Sequence, residues 1–134
     1  VWNNPEVLKA EDIMIADQVK VSPKRNVLQA GEIMAENKVD SLLVTTRENE
    51  LIGLITLKRI QLEDRNRLIE EIMERNVLTV QEGDNLIKVL ELMNRHKVGY
   101  MPVVNASGKL AGLITRSSIL AALSNQLIDV EVEF

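Results

Sequence analysis

Apolar positions along this chain follow two rhythms, a helical one and an alternating one, and they follow them twice. Val7, Leu8, Ala10 and Met14 make a rough apolar stripe that predicts a short helix over residues 5–14. Val19-Lys20-Val21 alternates in period two and predicts a brief strand, stopped by Ser22-Pro23. Val27, Ala30, Ile33 and Met34 then recur at three- and four-residue steps, which predicts a helix over residues 27–36. Asn26 suits its N-cap, because its side chain can accept from an orphan amide. Gly31 inside that helix costs about 1 kcal/mol relative to alanine, and close packing is the only reason the sequence offers for it. Two strands follow over residues 41–45 and 51–55, joined by the polar turn Arg47-Glu48-Asn49, and Thr56 opens a short helix through residue 60.

The second half repeats this order: helix 68–73, strand 78–80, helix 86–95, strands 100–104 and 110–114 around Ala106-Ser107-Gly108, and a helix from 116 to about 123. A shift of 59 positions lays Glu11-Asp12-Ile13-Met14 on Glu70-Glu71-Ile72-Met73 and Lys38-Val39 on Lys97-Val98. The same shift lays Leu51-Ile52-Gly53-Leu54-Ile55-Thr56 on Leu110-Ala111-Gly112-Leu113-Ile114-Thr115, with no gap between residues 11 and 60. An internal duplication builds a pseudo-symmetric body, and its seams are natural ligand sites. Within a copy the order β-α-β-β-α makes one parallel and one antiparallel strand pair. The expected class is therefore α+β (α/β mixed), two repeats related by a pseudo-two-fold axis in one module. The continuously apolar Leu42-Leu43-Val44 should be covered on both faces. The expected organisation is an N-terminal arm over 1–10, repeats over 11–60 and 68–123, a charged linker over 61–67 and a tail over 124–134.

Composition narrows the chemistry. With 134 residues, two halves sharing a core are more plausible than two independent units of roughly 60. Trp2, Tyr100 and Phe134 are the only aromatics, so the core must be aliphatic, with five methionines among its members. A net charge of -4 argues against a general nucleic-acid binder. The absence of cysteine excludes disulfides, thiolate catalysis and cysteine-based zinc sites. No apolar run reaches membrane-spanning length, and no signal peptide is visible, so neither membrane insertion nor nucleic-acid binding is expected. The chain starts at Val1 rather than methionine, as expected of a fragment of something longer.

In its full pattern the chain resembles a tandem CBS domain pair, a Bateman module. The matching features in each copy are the Ile-Met before the first strand, the helix ending in Lys-Val, and the Gly-Leu-Ile-Thr leading into the last helix. Tyr100-Met101-Pro102-Val103-Val104 and its Ser-Gly turn match the family again. Lys38-Val39-Asp40-Ser41-Leu42-Leu43-Val44 further resembles the CBS pairs fused to ATP-binding subunits of osmoprotectant (glycine betaine, carnitine, choline) ABC transporters. The resemblance implies regulation: an adenine-containing ligand bound in the cleft between copies, modules paired into homodimers, and a state passed to an attached protein. The narrower resemblance implies an upstream ATPase domain, a transporter permease and a cytoplasmic place at the inner face of the membrane.

Thr56 and Thr115 open the last helix of each copy, where free amides and the positive end of the helix dipole suit a phosphate. N-capping alone accounts for them equally well. In the family the matching hydroxyl contacts ribose or phosphate, and an Asp three residues on holds the ribose diol. Here Arg59 and Ser118 stand where that Asp would be. Losing a carboxylate that accepts from both hydroxyls weakens the case for AMP or ATP held the usual way. Lys58, Arg59 and Arg116 instead put positive charge at helix N-termini, where Arg116 above all would attract phosphate and Lys58 and Arg59 read more readily as a solvated face. A cyclic dinucleotide has no free diol, and cyclic di-AMP keeps the adenines, so it is the first choice. Tyr100 opens a strand beside Pro102, which lacks an N–H and implies an edge or a break there. It could stack on adenine or simply pack. Val19, Val39 and Ile114 could wall an adenine or belong to the core, and Ile15 and Ala16 precede the first strand, where backbone in this family reads the adenine edge.

The remaining candidates read as structural. His96 lies between Arg95 and Lys97 as a solvated group without metal partners, the methionines as core, and Trp2 as a pin for the N-terminal arm. No catalytic constellation is visible, so an enzyme is not expected. Three functions stay open: a cyclic di-AMP sensor on a transporter ATPase, an AMP or ATP sensor of another protein, and a ligand-free dimerisation module.

Overall fold

A computed structural model of the chain describes residues 8–16 and 19–132, with side chains described as far as 125. Trp2, residues 5–7 and the side chains of the tail lie outside the described residues. The elements are α1 (Ala10–Ile13), β1 (Lys20–Val21), α2 (Val27–Asn37), β2 (Ser41–Thr45), β3 (Leu51–Thr56) and α3 (Leu57–Ile60). They continue as α4 (Ile69–Ile72), β4 (Val80–Gln81), α5 (Leu86–His96), β5 (Tyr100–Val104), β6 (Leu110–Thr115) and α6 (Arg116–Val132).

Cap chemistry sets the helix ends. Asn26 accepts from Gln29 N at 2.9 Å and Gln29 Oε1 accepts from Asn26 N at 3.0 Å, a reciprocal pair that fixes the start of α2. Asn85 does the first half of this for α5, accepting from Lys88 N at 2.9 Å. The repeated Lys-Val closes both helices. Lys38 and Lys97 adopt the left-handed conformation, at φ of 56° and 54°. Val39 N and Val98 N then donate back to the carbonyls of Met34 and Met93, closing a Schellman turn.

The strands form two three-stranded sheets, ordered β1-β2-β3 and β4-β5-β6. In the first, β1 runs parallel and β3 antiparallel to β2, with Ser41 opposite Thr56. Leu42, Leu43 and Val44 are all buried, as their continuous apolar run requires. The second sheet departs by one residue. Lys20 pairs with Leu43, but Thr79 does not pair with Pro102, and the β4–β5 ladder begins at Val80 opposite Val103. Leu43 N donates toward Val19 O, and Pro102 has no N–H to do the same. Pro102 thus lies on a central strand, and it breaks the ladder rather than marking an edge.

The chain divides into two compact units that do not coincide with the sequence repeats. One unit gathers residues 1–17, 78–107 and 111–134; the other gathers 18–77 and 108–110. The leading helix of each repeat therefore serves the unit that holds the other repeat's sheet. In the first unit, Ala10 and Ile13 of α1 join Val80, Leu86, Val89 and Ile114 in one aliphatic core. In the second, Ile69, Ile72 and Met73 join Val21, Val27, Leu42 and Ile55. Past each leading helix the chain pairs with the last strand of its unit. Ile15 and Leu113 exchange hydrogen bonds of 2.8 and 2.9 Å, and Leu54 and Glu74 do the same at 2.9 Å.

This crossing explains why Ile-Met and Gly-Leu-Ile-Thr recur together. A Cβ on Gly112 would come within 2.9 Å of Met14 Cβ, and one on Gly53 within 2.9 Å of Met73 Cγ and 3.1 Å of Glu74 O. Each glycine leaves room for the methionine that follows a leading helix, and Gly53 also for the backbone at Glu74. Gly31 is different, since an added Cβ would meet only Ile60 Cδ1, at an ordinary 3.5 Å. Among the described residues no helix is long and apolar enough to cross a membrane.

Candidate ligand site

The sequence-selected residues divide between the units. Ala16, Tyr100, Ile114, Thr115 and Arg116 fall in the first; Val19, Val39 and Thr56 fall in the second. In the first unit the antiparallel Ile15–Leu113 pairing carries Ala16 toward Gly112 in the middle of β6, while at the end of that strand Ile114 is buried and Thr115 half-exposed. Tyr100 opens β5 and is half-buried. In the second unit Val19 and Val39 pack at the margin of the core, and Thr56 faces Ser41 across the ladder.

Both threonines cap helices. Thr56 Oγ1 accepts from Arg59 N at 3.2 Å. Thr115 Oγ1 accepts from Ser118 N at 3.1 Å, and Ser118 Oγ accepts from Thr115 N at 2.9 Å while donating to Thr115 O at 2.9 Å. The serine in the family's Asp position is thereby committed to its own helix cap. Arg59, the other replacement, turns to Glu63 at 2.8 Å. Neither position offers a carboxylate to a ribose diol.

Arg116 behaves differently from Arg59. Its guanidinium lies over Gly99, where an added Cβ would sit 3.6 Å from Nε. Among the described residues no carboxylate pairs with it. With Lys97 and Asn94 it borders a groove of about 330 Å³ whose apolar lining includes Met93, Val98 and Ile119. Two cations and an amide over an apolar floor suit an anion attached to an apolar body. Tyr100 and Thr115 flank Gly99 and Arg116 in sequence without lining this groove. Sequence reasoning missed Gly99, Asn94 and Lys97. The available signal was Gly99 standing where the first copy has Asp40, which leaves the neighbouring cation unopposed.

His96 ends α5 exposed, as expected of a solvated group. Among the described residues no cluster of three or more His, Asp or Glu could hold a metal ion.

Comparison with known proteins bears on the whole chain. The family model described as "CBS domain" matches residues 10–63 and again 69–125. The glycine betaine/carnitine/choline transport ATP-binding protein OpuCA of Bacillus subtilis is 32% identical over 124 residues, covering 90% of this chain and 32% of its own length. Inosine-5'-monophosphate dehydrogenase of Aquifex aeolicus is 35% identical over 119 residues, covering 86% of this chain and 24% of its own length. The chain thus spans about a quarter to a third of the length of these relatives. The crystal structure of CBSX2 in complex with AMP superposes with a TM-score of 0.79 at 24% identity, covering 88% of this chain and 97% of that one, a likeness of fold.

Proposed function

This chain belongs to the CBS domain family and carries the domain twice, and on that premise we propose that it is a regulatory module that binds an adenine nucleotide, cyclic di-AMP first, and controls an osmoprotectant ABC transporter ATPase. The observation that carries the ligand choice is the chemistry at α6. Arg116 is unopposed by any described carboxylate, and Ser118 spends its hydroxyl in the cap instead of awaiting a ribose diol. Arg116 would hold phosphate, the amides behind Thr115 would support it, and Tyr100 and the backbone at Ala16 would receive adenine, with Ile114 buried in the core behind them. In the second unit Thr56 matches Thr115 and Val19 and Val39 would wall an adenine, while Arg59 is already paired.

The likeness to OpuCA, a transport ATP-binding protein, supports an attached ATPase and a permease beyond it. It also supports a cytoplasmic site at the membrane's inner face. A homodimer is supported by apolar helix surface in each unit: Ile87, Leu90 and Leu120 on α5 and α6, Leu28 and Leu57 on α2 and α3. A symmetric cyclic dinucleotide suits an isologous interface. Ligand would then bias the arrangement of modules and so the ATPase.

Melting curves with saturating nucleotide test this reading. Cyclic di-AMP should raise the melting temperature more than AMP or ATP does. A larger rise with AMP or ATP favours an ordinary adenylate sensor, and no rise with any nucleotide favours a ligand-free assembly module.

A further inference from the structure

The first sheet ends in a second polar groove, at the far end of the strands from Val39 and Thr56. β1 and β2 are parallel, so their carboxyl ends, Val21-Ser22 and Thr45-Thr46, lie side by side. Crevices outside the carboxyl ends of parallel strands are common ligand sites in sheets with helical crossovers. A groove of about 210 Å³ opens there, lined by Lys20, Val21, Ser22, Thr45, Thr46 and Arg47. Two of these residues are cations, three carry hydroxyls, and none is a carboxylate.

The groups are held in place. Lys20 Nζ donates to Asn49 Oδ1 at 2.9 Å, which fixes the ammonium against the β2–β3 turn. Asn49 reaches that position through a left-handed backbone, at φ of 66°. Ser22 Oγ accepts from Lys24 N at 3.2 Å and Thr46 Oγ1 accepts from Glu50 N at 3.1 Å. Each oxygen already accepts from one backbone amide, which fixes its position, and its hydroxyl hydrogen can serve an incoming acceptor. Hydroxyl and ammonium or guanidinium donors converging without a carboxylate are what an oxyanion requires.

The second copy is a control built into the sequence. A shift of 59 positions replaces Lys20, Ser22, Thr45, Thr46 and Arg47 by Thr79, Gln81, Val104, Asn105 and Ala106, while Val21 stays valine as Val80. The scaffold residue is kept and both cations and all three hydroxyls of the groove are lost or displaced. The groove's chemistry therefore belongs to one copy rather than to the fold.

We propose that this groove binds the phosphoryl group of a small soluble molecule, independently of any nucleotide at the other end of the sheet. Proton–nitrogen correlation spectra of the whole chain test it, with inorganic phosphate or pyrophosphate added at constant ionic strength. The amide signals of Ser22, Thr46 and Arg47 should follow one saturable curve while those of Gln81, Asn105 and Ala106 stay in place. Lys20→Gln and Arg47→Gln should each raise the dissociation constant at least about fivefold, and Arg47→Lys should lose less than Arg47→Gln. Both side chains are exposed, so folding of the variants is not in question. Shifts that grow linearly without saturation, or that survive in the double variant, would overturn the proposal. So would binding to phosphatidylglycerol vesicles that depends on Lys20 and Arg47 with no response to free phosphate. The probes contain no adenine, so failure here leaves the nucleotide reading untouched, and the reverse holds.

Discussion

Lys38 and Lys97 close their helices in a conformation that glycine adopts more easily. A side chain in the left-handed region costs roughly 1–2 kcal/mol relative to glycine, partly offset by glycine's greater freedom in the unfolded chain. Lys38→Gly should therefore raise unfolding stability by roughly 0.5–1 kcal/mol, read from urea denaturation with an unchanged slope. A loss of stability would mean that the lysine side chain makes contacts worth more than the strain. Arg116 carries a functional prediction at the same scale. Its replacement by alanine should weaken nucleotide binding by at least about 1 kcal/mol, through a lost charged hydrogen bond, and Tyr100→Ala should do likewise through lost stacking. Unchanged affinity in both variants would remove the site.

At the scale of elements, the leading helices and the glycine strands are coupled pairs. Gly112→Ala should destabilise by about 1–3 kcal/mol, because its Cβ meets Met14 and not open space. Combining it with Met14→Ala should recover part of that loss, and a double-mutant cycle measures the coupling. Strict additivity would show that the two do not compete for the same volume. The start of α4 is pH-sensitive for a different reason. Leu68 N donates to Glu71 Oε1 at 2.9 Å, which holds the Glu71 carboxyl below the usual glutamate range, helped by Arg67. A depressed carboxylate pKa stabilises the fold above the unfolded value and loses that effect as pH falls through the folded one. Glu71→Gln should therefore lower stability slightly near neutrality, leave it unchanged in acid, and so flatten the acid limb of the stability profile below about pH 4.5.

Most of these elements were legible in the chain, because caps, breakers and periodicity are local. Asn26, Thr56 and the Ser-Gly turn mark their boundaries to within a residue or two. What the sequence did not disclose was non-local. The repeat runs from Ile-Met to Gly-Leu-Ile-Thr, yet Met14 packs on Gly112 and Met73 on Gly53, so the compact units cross the repeat boundaries. A strand start moved by one residue because a proline on the neighbouring strand could not donate. In the candidate site, Thr115 and Arg116 were visible from their place before a helix. The role of Ser118 as a cap, and of Gly99 as the floor beneath Arg116, depends on side-chain geometry that spacing alone does not specify.

At the scale of the molecule, an apolar helix surface and a symmetric ligand meet in the proposed dimer. Leu120 is 65% exposed on α6, four residues beyond Arg116. In the proposed homodimer, Leu120→Glu should shift the chain toward monomer in sedimentation velocity without lowering its melting temperature much. A dimer that persists would place the interface elsewhere. The central claim is that an adenine nucleotide without a free ribose diol is the preferred ligand. Titration calorimetry of this chain with cyclic di-AMP, AMP and ATP tests it most directly. The account predicts that cyclic di-AMP binds at least about tenfold more tightly than either mononucleotide, with one ligand per two chains. Tighter binding of AMP or ATP, at one or more per chain, would contradict it.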